Sequence, residues 1–130
     1  MERWMGKYLG RSYFLMRVVF GVLFACHGAQ KLFSLFGGRG FPSESLMIVA
    51  GIIEFLCGIL VALGLWAGYA AFIASGQMAA AYFMRHSPEG FWPIVNRGEL
   101  AVLYCFAFFY IASRGAGALS IDALLKKRKP

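Results

Sequence analysis

The chain has 130 residues, of which 60% are hydrophobic and 15% charged, and a formal net charge of +7. A soluble domain runs nearer roughly 45–50% apolar and about 25% charged, and a chain this short has too much surface for its volume to hide the excess from water. That excludes an ordinary soluble enzyme, and because most basic residues gather at the chain ends beside apolar spans, the charge fits membrane topology and not nucleic-acid binding.

A membrane span needs about 20 apolar residues to cross roughly 30 Å of hydrocarbon. The first is expected over residues 12–36. Arg3, Lys7 and Arg11 precede it, but the run is too long for a signal peptide and lacks a small-residue cleavage site, so it reads as a retained span. Gly37-Gly38-Arg39-Gly40-Phe41-Pro42 ends it, since glycine and proline punctuate helices. The second span is expected over 46–66 and the third over 67–84, with a tight turn at Leu63-Gly64-Leu65 between them. His86-Ser87-Pro88-Glu89-Gly90 closes the third; the fourth covers 96–113 and ends at Gly115-Ala116-Gly117, before a basic tail over 123–130. The expected fold is all-α: one domain over residues 1–130, an integral membrane bundle of four transmembrane helices.

One side of this topology collects Arg3, Lys7, Arg11, Arg114, Lys126, Lys127, Arg128 and Lys129, against Arg39, Arg85 and Arg97 on the other. The positive-inside rule then puts both termini in the cytoplasm, with Trp66 at the inner interface and Trp92 at the outer one. The terminal basic run reads first as a topology anchor and second as a contact for anionic lipid headgroups.

Ionisable groups at the centre of a membrane helix cost at least about 2.5–3.5 kcal/mol, so each needs a reason. The first helix carries Arg17, His27, Gln30 and Lys31, the second Glu54, the third Gln77 and the fourth Asn96 and Glu99. At 1.5 Å rise per residue, His27 lies roughly 14 Å below the outer end of its helix, Glu54 roughly 12 Å, Gln77 at a similar depth, and Lys31 roughly 8 Å; Glu99 is near the outer rim. His27 and Lys31, four apart, share a helix face, and Glu54 is the obvious carboxylate partner for one of them. Arg17, on the cytoplasmic half, either snorkels inward or reaches Glu54 from below. Small residues (Gly21, Ala25 and Gly28; Gly51 and Gly58; Ala71, Ser75 and Ala79) let helices approach closely, and Glu54 between two glycines is expected to point into the bundle.

Each feature also has a bland reading. The Glu54 pair reads equally as a salt bridge that fixes helix register. Asn96-Arg97-Gly98-Glu99 fits a capping box, and Gln77 fits interhelical glue. His27 has no second ligand at metal spacing, so no metal site is expected. Cys26, Cys57 and Cys105 form no Cys-x-x-Cys pair and read as packing residues. Phe106, Phe108 and Phe109 read as lipid-facing bulk. The Gly37–Gly40 stretch lacks the strand and helix context of a phosphate loop.

Arg17-Val-Val-Phe-Gly-Val-Leu-Phe-Ala-Cys-His27-Gly28-Ala-Gln30-Lys31-Leu32-Phe33, then Phe36-Gly37-Gly38, strongly resembles the DoxX family of small bacterial membrane proteins. Gly51-Ile-Ile-Glu54 with Gly58 is similar to that family's second helix; Asn96-Arg97-Gly98-Glu99-Leu100-Ala101 with Tyr104, and Gly115 through Ser120-Ile121-Asp122, are similar to its fourth helix and tail. The resemblance covers nearly the whole chain. It implies four transmembrane helices in the bacterial cytoplasmic membrane and a loose link to redox chemistry, as a subunit of a thiosulfate:quinone oxidoreductase or an anchor for soluble thiol and superoxide enzymes. Lacking Cys-x-x-Cys, the chain departs from thiol-oxidising quinone reductases.

Three functions follow as expectations. In the first, His27, Lys31, Glu54 and Gln77 bind a quinone headgroup or a small sulfur oxyanion from the outer side, in a redox subunit without independent activity; burial and a charge partner tune such groups for proton-coupled chemistry. In the second, the chain is a scaffold that recruits other subunits through its basic tail and outer loop. In the third, it is a small-solute carrier, which four short helices permit only as an oligomer. Expected partners are the lipid bilayer and other protein subunits or a second copy, with no nucleic acid; no cofactor is fixed beyond the candidate quinone.

Overall fold

The structure is a computed structural model that describes residues 1–128, so Lys129 of the basic run lies outside the described residues. Among the described residues every regular element is helical. A short helix α1 (Glu2–Met5) and a 3-10 turn lead into α2 (Leu9–Phe33), followed by α3 (Ser45–Leu63) and α4 (Ala67–Ala81). A π-helical turn, Tyr82–His86, and a 3-10 turn, Ser87–Glu89, carry the chain to α5 (Pro93–Asn96), α6 (Glu99–Arg114) and α7 (Ile121–Lys127).

The helix ends have local causes. α2 stops at Phe33 and not at residue 36, because Ser34 turns left-handed at φ 57° and Phe36 follows at φ 50°. Gln30 Nε2 then donates to the Phe36 carbonyl at 3.1 Å and fastens the turn. α3 stops at Leu63, three residues short of the sequence boundary. Gly64 adopts φ +71°, its N–H donates to the Val61 carbonyl, and Leu65 N–H donates to Leu60 O at 3.0 Å, the two bonds of a Schellman cap.

Neighbouring helices run antiparallel, which close contacts prove pair by pair. A Cβ added to Gly21 would sit 2.6 Å from Ala62 N, and one on Gly28 would sit 2.6 Å from Gly51 O, so α2 and α3 touch backbone to backbone. Ser75 Oγ donates to Cys105 O at 2.8 Å, and Gly68 lies opposite Ala112, which pairs α4 with α6. Glu54 meets Gln77 between α3 and α4. α2 and α6 meet through rings: Phe24 packs on Tyr104 and Phe108 at 5.3 and 4.6 Å, and Phe20 edges onto Tyr104. This up-down order puts α1 and α7 at one end of the bundle and the α2–α3 and α4–α6 connections at the other.

The core is a seam of small and aromatic side chains, with Val61, Ala71, Ala74, Phe108 and Ile111 fully enclosed. Phe108, expected to face lipid, is therefore a core residue, while Phe106 and Phe109 are exposed. The outside is apolar as well: Leu23, Ile52, Leu56, Phe72, Ile73 and Leu103 are all exposed. Two helical runs, Glu2–Phe33 and Ser45–Leu63, are long and apolar enough to cross a membrane, and only 22% and 28% of their most apolar windows are buried. The core helix of a soluble protein is mostly buried, so this exposed surface asks for a lipid solvent.

Candidate functional site

The site grows from Glu54. Its neighbours one turn away, Gly51 and Gly58, bring α2 against α3, and the carboxylate is left at 2% exposure. Lys31, from the last turns of α2, places Nζ 2.5 Å from Glu54 Oε1, and Gln77 Nε2 on α4 donates to the same oxygen at 2.9 Å. Glu54 thus pairs with Lys31 and not with His27. The second carboxylate oxygen, Oε2, and Gln77 Oε1 are both buried without a partner. Turning the Gln77 amide over would bring its oxygen against the carboxylate, so the hydrogen-bond network fixes its orientation. Two unserved acceptors in one enclosed spot are costly and need an account.

A cavity of about 490 Å³ adjoins them, between α2, α3, α4 and α6 at the end away from the chain termini. Its walls are mostly apolar, from Phe24, Met47, Ile53, Met78, Met84 and Tyr104, with Lys31, Glu54 and Gln77 as polar lining. His27 also lines it and stands edge-on to the Tyr104 ring at 6.0 Å. Arg85 and Arg97 add positive charge at the rim, with the His86 ring beside them. The Arg85 guanidinium lies 2.6 Å from Glu44, and that hydrogen bond, reinforced by the opposite charge, raises its pKa above the ordinary arginine value.

The remaining sequence candidates lie elsewhere. Arg17 is 1% exposed and does not approach Glu54. Its Nη1 donates to Val61 O at 2.5 Å and Ala62 O at 2.9 Å, and its Nη2 to Leu119 O at 2.7 Å. It neither snorkels nor pairs with Glu54: it caps the carbonyl end of α3, where a cation is favoured, and ties down the segment before α7. Asp122 joins that lock, accepting from Trp66 N while its own N–H donates to Gly64 O, both at 3.0 Å. Gln30 serves the α2 turn. Asn96, 2% exposed, donates from Nδ2 to Gly90 O at 2.6 Å and Tyr82 Oη at 3.2 Å, and accepts from Gly98 N at 2.8 Å. It braces the loop beside the cavity. The capping box does not form, because Arg97 turns left-handed at φ 60°. α6 therefore begins at Glu99, whose side chain is exposed and makes no cap bond.

Tyr104, Met78 and the rim residues Arg85 and His86 were missed as site residues. For Tyr104 the signal was present: Ala101, Tyr104, Phe108 and Ile111 recur at helical spacing, which marks one inward face. Among the described residues no three His, Cys, Asp or Glu side chains gather as a metal set, and the three cysteines are free on separate helices. The arrangement offers an apolar slot with a charge-paired carboxylate, an amide, a histidine and an ammonium at one wall. A mostly apolar cavity with a few convergent polar groups has the character of a small-molecule site.

Comparison with known proteins agrees with the sequence resemblance. The DoxX family model matches residues 12–87. An uncharacterized protein of Haemophilus influenzae is 44% identical over 121 residues, covering 86% of this chain and 90% of its own. An uncharacterized membrane protein of Mycobacterium tuberculosis is 27% identical over 135 residues, covering 90% of this chain and 83% of its own. No solved structure matches.

Proposed function

Because this chain belongs to the DoxX family, membrane proteins in character, we propose that it crosses the bacterial cytoplasmic membrane with α2, α3, α4 and α6 and serves as a subunit of a membrane redox system, binding a quinone-type ring. The basic residues at the terminal end of the bundle, Arg3, Lys7, Arg11, Arg114, Lys126 and Lys127, support a cytoplasmic position for that end under the positive-inside rule. The cavity then opens in the outer half of the bilayer.

One observation carries the reading: a buried carboxylate with an unserved oxygen beside a mostly apolar cavity of ligand size. Each wall has a part. Met47, Ile53 and Met84 offer apolar surface to a ring. Glu54 holds Lys31 by its ion pair. Lys31 keeps N–H groups free for a ligand oxygen, and His27 offers a second proton-bearing group. A quinone would supply two-electron, two-proton carriage; electrons would pass to or from other subunits. Purification in mild detergent from native membranes, followed by mass spectrometry of co-extracted molecules, tests this. A stoichiometric quinone or hydroquinone retained by the wild type and depleted in Glu54→Gln supports the reading, and a ligand-free bundle rejects it.

A scaffold role is favoured by α7, where exposed Leu124 and Leu125 adjoin Lys126 and Lys127. On that reading, truncation after Ala123 releases partner proteins while the bundle binds no small molecule.

A further inference from the structure

We propose that the cavity selects the reduced, hydroxyl-bearing form of its ring ligand, a hydroquinone or a related phenol, over the carbonyl-only quinone; this rests on the ring-binding reading above. The selection follows from which atoms lack partners. Glu54 Oε2 and Gln77 Oε1 are both enclosed, and both only accept hydrogen bonds. A quinone also only accepts, so it can serve neither of these oxygens. A hydroquinone brings an O–H that donates to the carboxylate, a charge-assisted bond of the stronger kind.

The donors at this wall do not reverse the preference. Lys31 has 27% of its side chain exposed and can snorkel its spare N–H groups toward the outer interface when no ligand takes them. Its ammonium attracts the oxygens of either form. The buried acceptors have no such outlet: apart from the ligand, only an enclosed water could serve them. Gln77 cannot turn to help, because its Nε2 is held on Glu54 Oε1 at 2.9 Å. Glu54 on α3 and Gln77 on α4, with Lys31 of α2 holding Glu54, thus leave two enclosed acceptors beside the cavity.

Anaerobic calorimetric titration of the full chain in mild detergent tests this, with tetramethyl-1,4-benzoquinone and its hydroquinone as probes. The hydroquinone is expected to bind at least about tenfold tighter, which is about 1.4 kcal/mol and raises the potential of the bound two-electron couple by about 30 mV. In Glu54→Gln the preference should fall below about threefold, because the charged acceptor is gone. If that variant does not fold, Gln77→Leu removes the other acceptor and should also shrink the preference. Equal affinity, as when a fixed water serves both oxygens, or tighter quinone binding overturns the selectivity and leaves ring binding intact. Binding of neither probe overturns both.

Discussion

The Lys31–Glu54 pair supports an asymmetric prediction. Glu54 is 2% exposed, whereas the Lys31 side chain keeps 27% of its surface open. Lys31→Met strands a carboxylate that retains only the Gln77 amide, and stranding a buried charge costs about 3–5 kcal/mol. Glu54→Gln keeps the shape and the Gln77 contact, and the freed ammonium can snorkel toward the outer interface, so its cost is about 1 kcal/mol, the scale of a lost hydrogen bond or a polar contact between membrane helices. The double variant has no stranded charge and is expected to be more stable than Lys31→Met alone, by about 1–2 kcal/mol. Reversible unfolding by sodium dodecyl sulfate in mixed micelles, followed by circular dichroism, measures all three. A double variant less stable than Lys31→Met, or a Glu54→Gln loss as large as that of Lys31→Met, would refute a desolvated carboxylate held by Lys31.

Two further outcomes test the packing. Phe108→Ala is expected to destabilise by about 3–5 kcal/mol because the ring is fully buried, while Phe109→Ala on the exposed face stays within about 0.5 kcal/mol, in the same unfolding assay. Arg17→Met removes three charge-assisted bonds to backbone carbonyls; it is expected to lose about 2–3 kcal/mol and to speed limited proteolysis between Gly115 and Ser120, read by mass spectrometry.

The common depth of Lys31, Glu54 and Gln77 was legible because rise per residue fixes depth whatever the packing. Their contact follows from depth and from the glycines that bring α2 and α3 together. The choice of Lys31 over His27 was not legible, since both share a face and the turn from one to the other is set by tertiary contact. Arg17 misled for a related reason: its partners are backbone carbonyls of α3 and the segment before α7, groups that carry no signature in the sequence. The start of α6 was misplaced because the capping-box spacing is satisfied by the residue types, while the left-handed Arg97 that breaks the box is a backbone choice. Phe108 was legible in principle: its spacing from Tyr104 and Ile111 put it on the inner face, and composition alone put it in lipid. Among the described residues only two of the helical runs meet the length and apolarity of a membrane span by themselves; α4 and α6 have 15 and 16 residues, and α4 runs on into a π-helical turn.

The most direct test of the cavity as a ring-binding site is photolabelling in lipid nanodiscs with an azido-substituted quinone kept reduced as its hydroquinone, followed by peptide mapping. The account predicts labels on cavity walls, at Met47, Met84 and Tyr104, reduced in Glu54→Gln. Labels confined to the lipid-facing side chains Tyr69, Phe72 and Phe109, and unchanged by that substitution, would contradict it.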